Sequence, residues 1–293
     1  MYIATLIASD RLTQGDISAA RDMLAEHGCE PGEISWIEAD KAADIAFGKE
    51  LDAANSKLRG VIEAVDVIAQ RKSDRTKKLL VADMDSTMIT VECLDELADY
   101  AGFKPQVAAV TERAMRGEID FAAALDKRVS LLKGLSADII TRCHDARVSI
   151  SAGAIPLIRT MKSHGARCVL VSGGFTLFAD RVAAEIGFDR AVSNILTIES
   201  GALSGTVERP LVDAAEKERI LAEESKDLGL ERSETLAIGD GANDKPMIEA
   251  AGLGIAYRGK PLLREAADAC LDHADLSALL YAQGIPRKDW AEA

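Results

Sequence analysis

The chain has 293 residues, 48% of them hydrophobic and 28% charged, with a formal net charge of −13 at pH 7. This composition indicates a globular protein with two or three folded units and excludes a chain that is disordered throughout. The excess of carboxylates argues against nucleic acid as a partner, and a phosphate-bearing substrate would need a local lysine, arginine or metal ion.

The first 75 residues have the pattern of a small α+β unit. Its predicted elements are a strand at 2–8, a helix at 17–27, strands at 33–37 and 43–48, a helix at 51–64 and a strand at 65–70. The order βαββαβ predicts a ferredoxin-like domain. The basic stretch RKSDRTKK at 71–78 follows, and its charges indicate a solvated linker.

From residue 79 onward, short apolar strands alternate with helices. The predicted strands are 79–82, 168–171, 235–238 and 253–256, and the predicted helices are 154–164, 179–186, 214–228 and 245–251. This alternation predicts an α/β fold with a Rossmann-like, doubly wound parallel sheet, in which ligands bind beyond the carboxyl ends of the strands. Residues 91–150 lack a strand pattern and predict a helical cap, whereas 194–199 and 202–207 predict a β-hairpin.

The cysteines and the apolar segments bear on where the protein works. Five cysteines are scattered along the chain without a C-x-x-C pair. This pattern favours free thiols in a reducing compartment over disulfides or a zinc site. The N-terminus has no basic leader, and no apolar run is long enough to span a membrane. We therefore expect a cytoplasmic protein with no membrane partner.

Two aspartates follow the first strand of the parallel sheet, in the segment LLVADMDST. Asp83 and Asp85 are two residues apart, a spacing that points both side chains to the same side of an extended chain. Like charges in one space repel unless a cation lies between them or one group is protonated. The pair suits a carboxylate nucleophile beside an acid, held by a divalent metal ion. An Asp-rich turn that caps a helix is the alternative.

Three further groups lie where such a sheet would place its site. Ser172 is followed by two glycines after a strand, and its hydroxyl and the nearby amides could donate to phosphate oxygens. Asp240 and Asp244, in GDGAND, offer oxygen ligands that suit Mg²⁺. Lys217 lies between Ser172 and Asp240 in the sequence, in a predicted helix. Each has a simpler alternative: a strand-to-helix turn, a helix N-cap at Asp244 before a proline, and a solvated lysine.

In this order, DMDST, SGG, a lysine and GDGAND resemble the haloacid dehalogenase (HAD) superfamily over residues 79 to about 275. The resemblance implies that Asp83 is the nucleophile and forms an aspartyl-phosphate, and that Asp85 is the general acid–base. It also implies that Ser172 and Lys217 hold the phosphoryl oxygens. The Mg²⁺ ligands that it implies are Asp83, the backbone carbonyl of Asp85, Asp240 and Asp244.

The predicted cap carries two charges that suit a phosphorylated amino acid. Arg128, in an apolar helical stripe, offers a bidentate partner for a carboxylate, and Glu92 a counter-charge for an ammonium group. A snorkelling arginine and a glutamate in a helix's first turn are the alternatives. The segments MDSTMITVE, AMRGEIDFAAALDKRVSLLKGL and GDGANDKPMIEAAGLGIAY resemble the phosphoserine phosphatase family.

This resemblance implies Mg²⁺-dependent hydrolysis of O-phosphoserine, a small-molecule substrate, as the last step of serine biosynthesis. The substrate-binding residues that it implies are Glu92, Phe121, Arg128, Ser172, Gly173, Lys217 and Asn243. It further implies a diverged ACT-like domain at 1–75 and a HAD phosphatase core at 76–293, with the cap inserted at about 91–150. The alternatives are a related phosphatase for another small phosphomonoester and a non-catalytic amino-acid sensor. A homodimer formed through the edges of the N-terminal sheet is a further hypothesis.

Overall fold

The computed structural model of the chain describes residues 1–115 and 118–291, and it begins with a four-stranded antiparallel sheet. The elements of this part are β1 (Tyr2–Ala8), α1 (Gln14–Glu26), β2 (Pro31–Glu38), β3 (Ala42–Phe47), α2 (Leu51–Leu58) and β4 (Val65–Arg71). The strand order β2-β3-β1-β4 confirms the predicted ferredoxin-like unit. Helix α2 is shorter than predicted because Arg59 adopts an extended backbone and Gly60 a left-handed one, with a φ of 67°.

This N-terminal sheet is covered on both faces. On one face, α1 and α2 pack against the strands through apolar residues that include Leu24 and Leu58. On the other face, Ile7 and Ile68 belong to the large apolar core of the rest of the chain. Successive residues of a strand point to opposite faces, so β1 and β4 contribute to both cores.

The segment at 71–78 is mostly exposed, as a solvated linker would be, but two of its basic residues, Arg75 and Lys77, are not solvated as predicted. Nη1 of Arg75 donates to Oδ2 of Asp44 at 2.9 Å, and Nη2 donates to the carbonyl oxygen of Tyr281 at 3.1 Å. Lys77 is buried, and its ammonium group donates to two backbone carbonyl oxygens at 2.6 and 2.8 Å. These basic groups satisfy buried acceptors between the two parts of the chain, which a reading of charge alone does not reveal.

A buried aspartate and an arginine add further hydrogen bonds to the joint between the N-terminal sheet, within residues 1–75, and the rest of the chain. Asp66, in β4, accepts hydrogen bonds from three consecutive backbone N–H groups at 272–274, at 2.9, 3.0 and 2.7 Å. Arg59 donates to the carbonyl oxygens of Ala267 and Asp268 at 2.8 and 3.1 Å. The N-terminal sheet is therefore fixed to the rest of the chain by hydrogen bonds as well as by apolar packing.

The rest of the chain is built on a six-stranded parallel sheet. The remaining strands are β5 (Leu79–Ala82), β6 (Arg167–Phe175), β7 (Arg190–Asn194), the hairpin strands β8 (Leu196–Glu199) and β9 (Ala202–Val207), β10 (Thr235–Gly239), β11 (Leu253–Tyr257) and β12 (Ala269–Leu271). The order β12-β11-β10-β5-β6-β7 is parallel throughout and confirms the predicted doubly wound fold. The sequence pattern missed β7, which is only partly buried, and β12, which has three residues.

Helices cover both faces of this parallel sheet. The remaining helices are α3 (Cys93–Tyr100), α4 (Lys104–Met115), α5 (Phe121–Ser130), α6 (Asp138–Arg147), α7 (Ala154–Ser163), α8 (Thr176–Ile186), α9 (Ala214–Asp227), α10 (Lys245–Ala250), α11 (Pro261–Ala266) and α12 (Ala278–Ala282). Helices α7 and α8 pack against Leu80 on one face, and α9 and α10 pack with Val81 on the other. Within the described ranges, no helix has the length and apolar character needed to cross a membrane.

The predicted cap is helical and follows β5. Helices α3 to α6 form it, and the hairpin of β8 and β9 is joined to it. The backbone N–H of Gly134 donates to the carbonyl oxygen of Leu203 at 2.8 Å. The N–H of Leu203 donates to the carbonyl oxygen of Leu135, also at 2.8 Å. Asn194 was predicted to begin this hairpin but ends β7 instead.

Candidate active site

A cleft of about 140 Å³ lies between the cap and the carboxyl ends of β5, β6 and β10. Eight of the eleven predicted site residues line it: Asp83, Asp85, Glu92, Phe121, Arg128, Gly173, Asp240 and Asn243. The other three, Ser172, Lys217 and Asp244, are completely buried and contact residues that line it. The fold therefore brings all of the predicted site residues together.

Asp83 directly follows β5, and the ladder of the sheet holds its backbone. Its N–H donates to the carbonyl oxygen of Ile238 in β10 at 2.9 Å. Oδ1 accepts a hydrogen bond from the ammonium group of Lys217, and Oδ2 accepts one from Oγ1 of Thr87 at 3.4 Å. Burial and the charge of Asp244 raise the pKa of Asp83, while Lys217 opposes them.

Asp85 reaches the same cleft because the chain turns sharply after β5. Ser86 has a left-handed backbone with a φ of 56°, a strained conformation for a residue other than glycine. Oδ1 of Asp85 accepts a hydrogen bond from the N–H of Cys93 at 2.9 Å, and Oδ2 accepts one from Oγ of Ser172 at 3.4 Å. Burial and the charge of Glu92 raise the pKa of Asp85 to about 6. A carboxyl group with this pKa can both donate and accept a proton near neutral pH.

Gly174 permits this contact between Asp85 and β6. A Cβ atom on Gly174 would lie only 2.8 Å from Oδ2 of Asp85 and 3.0 Å from Oγ of Ser172. The N–H of Gly174 donates to Oγ of Ser172 at 2.9 Å. Ser172 was predicted to lie just after a strand. Strand β6 continues to Phe175, so Ser172 instead lies within the strand.

Lys217 is buried although it lies in a helix rich in charge. It shares one face of α9 with Ile220, Leu221 and Glu224, the spacing of a buried helical stripe. Its ammonium group donates to Asp83 and, at 2.6 Å, to Oδ1 of Asp244. Burial alone would lower the pKa of Lys217, but the two carboxylates raise it above its usual value, so the side chain remains a cation.

Three carboxylates form a group that suits a divalent cation. One oxygen atom each of Asp83, Asp240 and Asp244 lies within 4.8 Å of the others. Asp244 makes no N-cap hydrogen bond, and its Oδ2 instead accepts from the N–H groups of Asp240 and Gly241 at 3.1 and 3.0 Å. Carboxylate oxygens in this arrangement are the ligands that Mg²⁺ prefers. The side chain of Asp85 is outside this group, consistent with a predicted role through its backbone carbonyl.

The cap side of the cleft presents one anion and one cation. Oε1 of Glu92 accepts a hydrogen bond from Oγ of Ser86 at 2.8 Å. Nε of Arg128 donates to the carbonyl oxygen of Ala124 at 3.3 Å, and its other N–H groups have no hydrogen bond within the described residues. Phe121, on the same helix, is 39% exposed. The guanidinium group can therefore donate hydrogen bonds to a planar anion such as a carboxylate.

Known proteins resemble this chain over most of its length. A family model for haloacid dehalogenase-like hydrolases matches residues 80–249. A phosphoserine phosphatase of Archaeoglobus fulgidus is 38% identical over 295 aligned residues, which cover 98% of this chain and 85% of that protein. The chain belongs to the phosphoserine phosphatase family of haloacid dehalogenase-like hydrolases.

Two solved structures resemble this family member. A HAD family hydrolase of Salmonella enterica serovar Typhi has a TM-score of 0.85 and 27% identity, with 96% of this chain and 97% of that one covered. A probable phosphoserine phosphatase of Vibrio cholerae, in unliganded form, has a TM-score of 0.78 and 31% identity, with 99% and 89% covered. Both likenesses include the N-terminal sheet.

Two residues near the cleft of this phosphoserine phosphatase family member were not predicted as site residues from the sequence. Asn194 donates from Nδ2 to the carbonyl oxygen of Gly173 at 2.9 Å and accepts at Oδ1 from the N–H of Val212 at 2.8 Å, so it positions the lining glycine. Lys260 lines the cleft, and its Nζ lies 3.2 Å from Oδ2 of Asp240. The signal for Lys260 was its place just beyond the carboxyl end of β11, next to the strand that carries Asp240.

Proposed function

We infer that this protein hydrolyses O-phosphoserine to serine and inorganic phosphate, the last step of serine biosynthesis. The observation that carries this inference is a single cleft lined by two carboxylates for phosphoryl transfer, Asp83 and Asp85, and by two charges for an amino acid, Glu92 and Arg128. Family membership along almost the whole chain supports it. In the proposed reaction, each of these four groups has a distinct role.

In the first step, Asp83 attacks the phosphorus atom and the bond from phosphorus to the serine oxygen breaks. The new bond joins Asp83 to phosphorus as an aspartyl-phosphate. The leaving alkoxide takes a proton from the carboxyl group of Asp85. Ser172 and Lys217 would hold and neutralise the phosphoryl oxygens, since Ser172 contacts Asp85 and Lys217 contacts Asp83.

In the second step, Asp85 acts in the opposite direction. Its carboxylate takes a proton from a water molecule, and the resulting hydroxide attacks phosphorus. The bond between phosphorus and Asp83 then breaks, which releases phosphate and regenerates both carboxyl groups. The contacts of Asp85 with Cys93 and Ser172 keep it beside Asp83 in both steps.

We propose Mg²⁺ as the cofactor, held by Asp83, Asp240 and Asp244 together with the backbone carbonyl of Asp85. The close approach of three carboxylate oxygens supports this set of ligands. When bound, the ion supplies positive charge that stabilises the phosphoryl group during transfer. Lys217 holds Asp83 and Asp244 in place from the buried side.

The cap would select the substrate. Arg128 has N–H groups free to bind the carboxylate of phosphoserine, Glu92 offers a counter-charge to its ammonium group, and Phe121 covers the cleft. Gly173 and Asn243 line the cleft on the opposite side, where the backbone of Gly173 can approach the phosphate closely.

Replacing Arg128 by Ala tests this function. We expect kcat/KM for phosphoserine to fall about 100-fold, because a charge-assisted bidentate contact is lost. Activity on p-nitrophenyl phosphate, which has no carboxylate, should change less than about twofold. Phosphate release from a panel of phosphomonoesters, with and without Mg²⁺, measures both.

A matched control is Arg142→Ala, which removes an exposed cap arginine paired with Asp138 at 3.5 Å. If folded Arg128→Ala hydrolyses phosphoserine as well as the unchanged protein does, the substrate assignment is wrong. If the unchanged protein releases phosphate from no member of the panel, an amino-acid sensor replaces the enzyme.

We also propose that the protein is a homodimer joined through β2. This strand is an edge of the N-terminal sheet and exposes Ile34 and Trp36, each 37% accessible. Light scattering should give twice the mass of one chain, and Trp36→Lys should give a single chain. A single-chain mass for the unchanged protein at all concentrations would contradict the dimer.

We further propose a cytoplasmic location and a division of the chain into two domains. The five cysteines are all buried and unbridged, which supports work in the reducing cytoplasm. We propose a catalytic domain at 76–293, with its cap at about 91–150, and an N-terminal domain at 1–75 that is packed against it. The ACT-like character of the N-terminal domain stays a prediction.

A further inference from the structure

We propose that Lys260 is an exchangeable counter-ion: it neutralises Asp240 while no cation is bound, and it turns to the phosphate group of the substrate once a divalent cation takes its place. This role rests on the proposed function. It assigns a positioning and binding residue to the cleft in addition to those described above.

The backbone at Lys260 is held by a hydrogen bond, whereas most of its side chain is exposed. Its N–H donates to the carbonyl oxygen of Asp240 at 2.8 Å, which holds the loop between β11 and α11 beside the carboxylate group. Its side chain is 63% exposed, and its Nζ lies 3.2 Å from Oδ2 of Asp240. The side chain of Asp240 is only 11% exposed, whereas the ammonium end of the pair is in contact with water, so the lysine can leave without losing its own hydration.

The other cations of the cleft cannot make this exchange. Lys217 is completely buried and bound to two carboxylates, and Arg128 lies on the cap side. Lys260 is therefore the cation, among the described lining residues, that stands beside the proposed metal ligands with freedom to move.

The charges of the cleft show why a movable cation matters. When all of its carboxyl groups are ionised, the cleft has five carboxylates and three cations, which leaves two negative charges in excess. A divalent cation balances this excess, whereas removal of Lys260 would leave the cleft negative even with the ion bound. A negative cleft repels a phosphate dianion. The carboxylates are Asp83, Asp85, Glu92, Asp240 and Asp244, and the cations are Arg128, Lys217 and Lys260.

Lys260→Met should separate metal binding from substrate binding. Calorimetric titration of the metal-free full chain should show about 5-fold tighter binding of Mg²⁺, because a positive charge near the ion is removed. At saturating Mg²⁺, KM for phosphoserine should rise about 10-fold, with kcat within about twofold of the unchanged protein. Lys260→Arg keeps the charge and should restore both values to within about twofold.

Lys245→Met is the matched control. Lys245 follows Asp244 directly, but it pairs with Glu249 at 2.6 Å and does not line the cleft. Its removal should leave both Mg²⁺ affinity and KM unchanged. Lys260→Gln gives the same comparison if the methionine variant does not fold.

The proposal requires both changes at Lys260. Unchanged Mg²⁺ affinity, an unchanged KM, or a loss confined to kcat would each overturn it and leave Lys260 as an ordinary surface ion pair. Failure of the unchanged protein to hydrolyse phosphoserine would overturn the proposed function instead. The calorimetric comparison would then still decide whether Lys260 competes with the ion for Asp240.

Discussion

Replacing Asp83 by Asn should lower kcat for phosphoserine by at least about 10⁴-fold while the fold is retained. The amide has nearly the same shape as the carboxylate but cannot attack phosphorus. Lys217 can still donate to its remaining oxygen atom, and the hydroxyl oxygen of Thr87 can accept from its NH2 group. Steady-state phosphate release measures the loss, and circular dichroism checks the fold.

Asp180→Asn is the control for this experiment, since Asp180 is exposed on α8, away from the cleft. Mass spectrometry of the acid-quenched unchanged enzyme should find a phosphoryl group on the peptide that contains Asp83. Near-normal turnover by Asp83→Asn, with the amide shown by mass to be intact, would rule out Asp83 as the nucleophile.

Replacing Lys217 by Met should reduce both stability and activity. In a chelating buffer, the free energy of unfolding should fall by about 3 kcal/mol, because Asp83 and Asp244 are left as buried charges without a cation. Mg²⁺ should recover more stability in this variant than in the unchanged protein, since the ion would then replace the positive charge that Lys217 supplies to Asp83 and Asp244. We expect kcat to fall about 100-fold or more because the transferring group loses an ammonium partner.

Urea unfolding with and without Mg²⁺ measures the first effect, and phosphate release measures the second. Lys226→Met, on the exposed side of the same helix, controls for the loss of a helical lysine. Equal stability of Lys217→Met and the unchanged protein in chelator would show that the buried carboxylates need no counter-ion, against the charge balance inferred here.

The positions of the two aspartates at the centre of the site could be predicted from the sequence, because both lie at strand ends. Asp83 and Asp240 follow short apolar runs that become β5 and β10, so the topology of a parallel sheet brings them together. Lys217 could be placed only from the resemblance to a known family. Its helical spacing with Ile220 and Leu221 is a signal of burial that the sequence analysis did not use.

The remaining features depend on contacts that local patterns do not contain. Asn194 links Gly173 to Val212 across the chain, and no periodicity marks such a role. Arg75 and Lys77 have the composition of a linker, yet their partners lie on distant elements. Charge patterns predict solvation on average and fail where carbonyl oxygens from another segment need donors.

The joint between the two sheets determines how this protein can be divided. Cutting the chain after residue 75 would uncover the apolar surface beneath Ile7 and Ile68. It would also take Asp66 away from three backbone N–H groups that have no other partner among the described residues. The catalytic part, residues 76–293, is consequently not a detachable module, and a shortened version would need its newly exposed face redesigned with polar residues to remain monodisperse.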